Sequence, residues 1–337
     1  MESTSWLAFL KTQGARIDEA GLAQFDGGAE ADVALTPLLQ FGLLRFSGED
    51  TESFLHGQLS SDIKNLPVQA AQYSSYSTPK GRMLASMLVQ KREQDIVLQL
   101  PGDLLAAVQK RLSMYVLRSK TRAENVSDTL VQLGLSGPNA LALLQGMLAL
   151  DEIAPLTLHP LDGGWLSRLP GDRVLLVLDS EAAPSWWSRL VAAGAVAASA
   201  STWTLSDIRA GIPWVQAQTQ EAFVPQMANM DLIGAVSFKK GCYPGQEIVA
   251  RTHYLGKLKR RTYRIRADEQ LQIGQSLYSP EMNGQPSGEI AMVAPAGAGW
   301  EALAVIQTSS IEHGLHLHDA QGALVELLDL PYPLPAA

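Results

Sequence analysis

One cysteine, Cys242, organises the chemistry that this sequence can support, because it is the only thiol in 337 residues. Lys239 and Lys240 precede it, glycines and a proline bracket it, and a helix is predicted to begin near Gln246. Lysine charges and a helix N-terminus both favour the thiolate, which is the nucleophilic and metal-binding form. We therefore interpret Cys242 as a functional thiol. The alternative is a small buried hydrophobe, as most unpaired cysteines are.

The same stretch resembles a known family. Residues 240–247 read Lys-Gly-Cys-Tyr-Pro-Gly-Gln-Glu, an unbroken match to the K-G-C-Y-x-G-Q-E signature of the YgfZ family, folate-binding relatives of the glycine-cleavage T-protein. Residues 223–226 and 249–251 also fit, and weaker similarity extends from about 35 to 332. The resemblance implies a catalytic role for Cys242 and Lys240, within a signature completed by Gly241, Tyr243, Gly245, Gln246 and Glu247.

The resemblance also implies a cofactor, tetrahydrofolate or another reduced folate. A pterin ring needs a flat apolar slot, which aromatic side chains supply. The residues expected at the folate are Trp203, Phe41, Asp207, Asn229 and Arg251. For each aromatic ring the alternative is a place in the hydrophobic core.

Two departures from the relatives bear on this expectation. Arg209 stands in Ile-Arg-Ala-Gly where relatives commonly have glutamate, and Asp207 is an imperfect substitute for the missing carboxylate. The T-protein has an acidic pair in G-x-x-x-D-D, whereas Gly81 is followed four residues later by Ala85 and Ser86. Without that carboxylate a substrate amine loses its charge partner and proton acceptor, so aminomethyl transfer is not expected.

A basic run follows the signature and comprises Lys257, Lys259, Arg260, Arg261, Arg264 and Arg266. It can be a solvated strand face, or a seat for an anion such as folate carboxylates or RNA phosphates. His253 is a candidate proton-transfer partner for the thiol. No metal site is predicted, because the closely spaced His313, His316 and His318 are typical of a water-facing edge.

Composition limits the remaining possibilities. A net charge of −8 argues against a dedicated nucleic-acid binder, although a local basic patch stays possible. A single cysteine forbids an internal disulfide, which suits a reducing compartment. No basic leader or long apolar run is present, so we expect a cytoplasmic monomer without a membrane segment.

The order of predicted elements indicates an α+β protein. Strands and helices mix without steady βα alternation up to about residue 245, and a similar order of elements occurs twice. Beyond Leu255, short strands separated by Gly, Pro and Asn predict a small β-barrel. The resemblance implies two ferredoxin-like units and a C-terminal barrel in a ring around a central folate-sized cavity. We expect an N-terminal helix and linker in 1–31, a folate-binding region in 32–245 with a split near 122, and the barrel domain in 246–332.

The expected function is that of a folate-binding accessory protein. The resemblance implies support for the assembly or repair of iron–sulfur clusters, and thereby for tRNA methylthiolation. Partners would be folate and iron–sulfur enzymes or their assembly proteins, and direct contact with tRNA is left open. The alternatives are a folate-dependent one-carbon transferase, for which the enzymatic question stays open, and a thiol-based scaffold that contacts a cluster or its client directly.

Overall fold

The computed structural model describes residues 2–171, 173–254, 256 and 258–335, apart from the side chains of residues 2–4. Helices are separated by runs of one to four strands through the first two thirds of the chain, and short strands dominate the last third. The α-helices of the described residues are α1 Glu2–Thr12, α2 Thr51–Gln58, α3 Gly102–Val116, α4 Ala140–Leu148, α5 Ala183–Ala192, α6 Ala200–Arg209 and α7 Gln246–Tyr254. No described helix has both the length and the apolarity that a membrane crossing requires.

Two short strands, β1 Arg16–Ile17 and β2 Ala23–Gln24, follow α1 and pair with each other. A five-stranded sheet contains the first ferredoxin-like unit. Its strands are β4 Phe41–Ser47, β5 Ala70–Ser77, β6 Met83–Lys91, β7 Asp95–Pro101 and β8 Arg122–Asn125, in the spatial order β5-β6-β7-β4-β8. Helix α2 follows β4 and helix α3 follows β7, so the part β8-β4-β7-β6 has the strand order of a ferredoxin-like unit, with β5 added at the edge.

A six-stranded sheet has a similar arrangement, with β3 inserted between β9 and β13. Its strands are β3 Ala34–Pro37, β9 Leu130–Ser136, β10 Leu158–Leu161, β11 Gly164–Leu169, β12 Arg173–Asp179 and β13 Val196–Ala197, in the order β10-β11-β12-β9-β3-β13. In both sheets the strand before the first helix pairs with the strand before the second helix, β4 with β7 and β9 with β12. The predicted repetition of elements is therefore confirmed as two ferredoxin-like units.

The C-terminal region forms a closed six-stranded barrel, as the short apolar strands predicted. Its strands are β14 Arg260–Ala267, β15 Ser276–Tyr278, β16 Pro286–Ala296, β17 Gly299–Gln307, β18 Leu315–Leu317 and β19 Leu324–Leu328. Pairing of β14 with β19 closes the order β14-β17-β16-β15-β18-β19. Closure leaves no free sheet edge, and the interior is filled by aliphatic side chains such as Ile265, Leu277 and Ile306.

The chain divides into two compact units. Unit 1 comprises residues 1–51, 66–72 and 88–206, and unit 2 comprises 52–65, 73–87 and 207–337. Both sequence ranges are discontinuous because β5, β6 and α6 each pass from one unit to the other. The domain boundaries expected from the sequence stay a prediction.

Several local expectations were wrong. The sequence predicts a strand over residues 43–46 and Ser47 as the cap of a helix that runs to about Gln58. Ser47 instead pairs with Asp95 at the end of β4, and α2 begins only at Thr51. The helical periodicity of residues 104–117 predicts Tyr115 on the apolar face of a helix, but Tyr115 is 48% exposed, since α3 ends one residue later. The segment 1–31 contains the paired strands β1 and β2 after α1. The three-residue strands β15 and β18 are too short to give a recognisable sequence pattern.

The core of unit 1 includes a close approach between a helix and a strand. The ring of Trp203, on α6, is 1% exposed and lies directly over Gly134 in β9. A methyl group at position 134 would stand 2.3 Å from Trp203 Cε3. Glycine is therefore required here by the indole ring and not by a backbone turn.

We predict that Gly134→Ala lowers the free energy of unfolding by about 1–3 kcal/mol, because the buried indole cannot move aside without strain. The matched control is Gly146→Ala on the exposed face of α4, where a methyl group would meet nothing within 4 Å. That change should raise stability by about 0.5–1 kcal/mol through helix propensity. Urea unfolding of both variants checks the pair, and equal effects would contradict the close packing of Trp203.

Candidate functional site: an exposed thiol on an anchored loop

Cys242 is exposed and lies in the segment 238–245, here called the Cys242 loop, which leads into α7. The loop ends where Gln246 N–H donates to the Tyr243 carbonyl (3.1 Å) and Val249 N–H to that of Gly245 (3.2 Å). The thiol itself faces solvent, where it can meet an electrophile or a metal centre brought by a partner.

Lys240 anchors the loop from inside unit 2. It is 7% exposed, and its Nζ donates hydrogen bonds to the carbonyl oxygens of His56 and Leu59. These carbonyls lie at the C-terminal end of α2, where backbone oxygens lack helical partners and the helix dipole favours a cation. Burial lowers the pKa of Lys240 to about 8, although the nearby Asp62 carboxylate acts in the opposite direction.

Tyr243 is the second buried anchor of the loop. Its ring is 7% exposed and its centroid lies 4.7 Å from Lys240 Nζ, a cation–π distance. Burial raises the pKa of Tyr243 to about 12, so the phenol stays protonated at physiological pH. Lys240 and Tyr243 flank the thiol in sequence and hold the loop on both sides of it.

The two glycines of the signature have different physical roles. Gly245 has a positive φ of 84°, and a Cβ there would lie 2.6 Å from the Thr78 carbonyl oxygen and 2.7 Å from Gly81 Cα. Position 245 therefore requires glycine for packing against the turn between β5 and β6. Gly241, by contrast, is exposed, and a Cβ there would meet nothing within 4 Å. The space beside the thiol is open.

Amide side chains complete the anchoring. Gln246 Nε2 donates to the Lys240 carbonyl (3.2 Å), and buried Gln226 donates from Nε2 to the Val249 carbonyl (2.6 Å). Glu247, by contrast, is exposed. Of the signature residues, Lys240, Tyr243, Gly245 and Gln246 thus build the loop, whereas Gly241, Cys242 and Glu247 face outward.

His56 and Asp62, which no sequence pattern indicated, lie beside the Lys240 anchor. His56 Nδ1 is 3.3 Å from Asp62 Oδ1. Burial and the Lys240 charge lower the pKa of His56. Burial opposes ionisation of Asp62, but hydrogen bonds from Asn65 outweigh it and lower the pKa of that carboxyl. No local pattern could have identified these residues, because Lys240 is 184 positions from His56.

Two of the predicted folate residues lie in unit 1. Phe41 begins β4 and is 8% exposed, and its carbonyl accepts a hydrogen bond from Gln132 Nε2 (3.0 Å). Gly134 follows Gln132 by two residues on the same face of β9, and the ring of Trp203 covers it. Arg173 Cζ lies 5.1 Å from the centroid of the Trp203 ring. Gln40, which the sequence analysis missed, precedes Phe41, and its amide oxygen and nitrogen are both buried without a hydrogen-bond partner.

The other predicted folate residues lie in unit 2. Asp207 is 2% exposed on the last turn of α6. Asn229 is fully buried, and its amide donates to the Thr262 carbonyl (2.8 Å) and accepts from Thr262 N–H (3.4 Å). Arg251, on α7, is exposed. The amide of Asn229 is thus occupied by backbone groups of β14.

The structure explains both departures from the relatives. Arg209 Nη2 is 2.8 Å from Glu301 Oε1, a carboxylate with only 4% side-chain exposure that also pairs with Arg264. A glutamate at position 209 would face Glu301 with like charge. At the T-protein's acidic pair, Ala85 is fully buried and Ser86 Oγ accepts Val215 N–H at 2.8 Å. Ala85 and Ser86 both belong to the packed interior of unit 2.

The predicted basic run divides into paired and exposed members. Arg261 forms a two-pronged ion pair with Asp231 (2.6 and 2.9 Å), and Arg264 pairs with Glu301. Lys259 is exposed, and Lys257 lies outside the described residues. His253 stacks on Phe238 with ring centroids 3.7 Å apart. Among the described residues no hydrogen bond joins His253 to Cys242.

A family model and a solved structure match the fold described above. A family model described as the GCVT N-terminal domain matches residues 29–156. The structure resembles the crystal structure of glycine cleavage system aminomethyltransferase T from Bartonella henselae, with a TM-score of 0.80, 17% identity and coverage of 97% of this chain and 96% of that one. At that identity the likeness shows the fold alone.

Curated relatives provide the closer evidence. The tRNA-modifying protein YgfZ of Photobacterium profundum is 30% identical over 311 residues, covering 90% of this chain and 92% of the relative. The protein of the same name from Yersinia pseudotuberculosis is 32% identical over 239 residues, covering 68% and 70%. With the unbroken signature around Cys242, these relatives show that the chain belongs to the YgfZ family.

Proposed function

We propose that this protein is a folate-binding accessory factor for tRNA modification, with Cys242 as its functional thiol. Its clients are iron–sulfur enzymes that methylthiolate tRNA, or the proteins that assemble and repair their clusters. The observation that carries the proposal is the exposure of Cys242 on a loop whose neighbouring residues, Lys240 and Tyr243, are buried. A chain position that only filled a core would not be presented in this way.

The open space at Gly241 supports the same role for the thiol. A side chain at position 241 would contact no other part of the protein, so packing does not require glycine there. It would hinder only a molecule that approaches Cys242 from solvent. An incoming protein or cluster would meet the thiol without displacing any part of the loop. Lys240 positions the loop, since its Nζ is bound to the α2 carbonyls.

Folate binding is proposed for unit 1, beside Phe41 and Trp203. The buried amide of Gln40 offers an unpaired donor and an unpaired acceptor, the pair of groups that an amino-pyrimidinone edge of a pterin requires. An unpaired buried amide is costly, and a ligand with matching polar groups would remove that cost. Gln40 can therefore supply polar recognition of a pterin within unit 1. When bound, a reduced folate supplies a one-carbon carrier or reducing equivalents.

No specific observation favours the one-carbon transferase. Its chemistry needs a carboxylate near residues 85 and 86, and the Ser86 hydroxyl is instead committed to the Val215 N–H. The T-protein fold is compatible with an accessory role, because a fold does not determine chemistry.

We predict that Cys242→Ser abolishes tRNA methylthiolation in cells that depend on this protein. The thiol is exposed, so the melting temperature should stay unchanged. The assay is complementation of a bacterial strain lacking its own family member, with the methylthiolated nucleosides quantified by mass spectrometry. Full modification with the serine variant would refute the functional thiol, and a large loss of stability would make Cys242 a structural residue.

We predict that titration of Lys240 raises the free energy of unfolding as pH rises from about 8 to 10.5. Its folded pKa is about 8 and its ordinary value 10.5, so in this range the unfolded chain retains a proton that the folded chain has released. Relative to Lys240→Met, the wild-type protein should gain up to about 3 kcal/mol in free energy of unfolding across the range.

Urea unfolding at several pH values measures this gain. The control variant is Lys239→Met, at the exposed neighbouring lysine, whose profile should run parallel to that of the wild-type protein. If Lys240→Met also ran parallel, Lys240 would not be buried as a cation at the end of α2.

We predict that Gln40→Leu weakens the binding of tetrahydrofolate about tenfold, because a hydrogen-bonding amide is lost. Stability should stay the same or increase, since an unpaired buried amide is replaced by an apolar group of similar size. The control Gln132→Leu breaks bonds to Phe41 and Gln99 and should lower stability instead. Titration calorimetry gives the affinities, and unchanged affinity in Gln40→Leu would exclude this residue from the folate site.

A further inference from the structure

An exposed cluster of rings and cations lies beside the Cys242 loop in unit 2. Phe238 stacks on His253 (centroids 3.7 Å apart, planes 13° apart), and Tyr254 meets both rings edge-on, at 6.4 and 4.8 Å. His253 is exposed, and Tyr254 is 64% exposed. Lys239 follows Phe238 in the chain, and Arg251 lies one helical turn before Tyr254 on α7. These five residues are called the aromatic–basic patch.

The charge of the patch is local. The whole chain has a net charge of −8, yet residues 238–267 contain nine lysines and arginines and a single carboxylate, Glu247. Some of these cations serve the fold, since Lys240 binds the α2 carbonyls and Arg261 binds Asp231. Lys239 and Arg251 are exposed, and within the described residues no carboxylate forms an ion pair with either.

Unpaired cations beside exposed aromatic rings fit a single-stranded nucleic acid. Phosphates bind the cations, and unstacked bases stack on the rings, an arrangement that double-stranded RNA with its paired bases cannot use. Protein interfaces are also rich in aromatic residues and arginine, but lysine is depleted from their cores, so Lys239 fits a phosphate better than a protein surface. The patch and the exposed thiol belong to one segment, so a base held at the rings would lie on the same part of the chain as Cys242.

We propose that the aromatic–basic patch binds an unpaired RNA loop, with a base stacked on the His253–Tyr254 rings and the phosphates bound by Lys239 and Arg251. The inference rests on the proposed role in tRNA modification and extends it, since it makes the RNA a direct partner of the segment that contains the thiol. The loop of a tRNA stem-loop has the required chemistry.

The test is fluorescence anisotropy of the full-length protein with a labelled tRNA anticodon stem-loop, and with an RNA duplex of equal length. We expect the stem-loop to bind more tightly than the duplex. Replacing the rings (His253→Ala with Tyr254→Ala) should weaken stem-loop binding about tenfold or more. Replacing the cations (Lys239→Ala with Arg251→Ala) should reduce the slope of log affinity against log salt by about 1 to 1.5, as expected for two lost phosphate contacts.

The matched control is Lys110→Ala with Arg118→Ala, two exposed cations in the carboxylate-free stretch 104–123 of unit 1. It removes the same charge, so binding that depends only on net charge would weaken equally in both double variants. Equal weakening, equal affinity for the duplex, or a ring variant that binds like the wild-type protein would each overturn the proposal. Capture of an iron–sulfur client by the patch without RNA binding would also overturn it and make the patch a protein-docking surface.

The outcome is separable from that for the proposed function. Patch variants that bind RNA normally, together with a Cys242 variant that fails to support methylthiolation, would refute the patch and retain the accessory role. RNA binding that depends on the patch, together with normal methylthiolation in a Cys242 variant, would retain the patch and refute the role of Cys242 in the accessory function.

Discussion

The Cys242 loop depends on one interaction, the ammonium group of Lys240 bound to the carbonyl oxygens of His56 and Leu59. A helix leaves its last carbonyls without partners and a buried lysine needs acceptors, so each supplies the other's hydrogen bonds. Burial still disfavours the charged form, and the pKa of Lys240 falls to about 8. The Tyr243 ring and the Asp62 carboxylate add to the stabilisation of the cation. Because the side chains flanking the thiol are committed to the interior, Cys242 is left facing solvent.

Polar side chains also join the segment before the loop to the barrel. Asn229 pairs with the backbone of Thr262, and Arg261 with Asp231, so the loop and β14 are held to the same stretch of chain. Glu301 in β17 pairs with both Arg209 and Arg264. Glu301 has only 4% side-chain exposure, so removal of its arginine partners would leave a buried charge without compensation. The arginine at position 209 is therefore part of a local charge arrangement with Glu301.

The geometry separates two roles within the family signature. One group of signature residues holds the loop in place: Lys240, Tyr243, Gly245 and Gln246. The other group is exposed to solvent: Gly241, Cys242 and Glu247. A signature of this kind identifies an architecture and one reactive group, and it does not specify the partner. The surroundings of the loop then limit the partner, through the open space at Gly241 and the exposed cations and rings beside the thiol.

The sequence by itself determined the family, the α+β class, the repeated unit and the barrel, because these depend on local periodicity, turn residues and an unbroken eight-residue match. It also singled out Cys242. Only the tertiary structure decided that Lys240 binds carbonyls at the end of α2 and that Asn229 binds the backbone of β14. It also decided that Arg209 pairs with Glu301 and that Tyr115 is exposed. Those pairings join residues about 30 to 180 positions apart, and local patterns contain no information about which distant group will neutralise a charge or satisfy an amide.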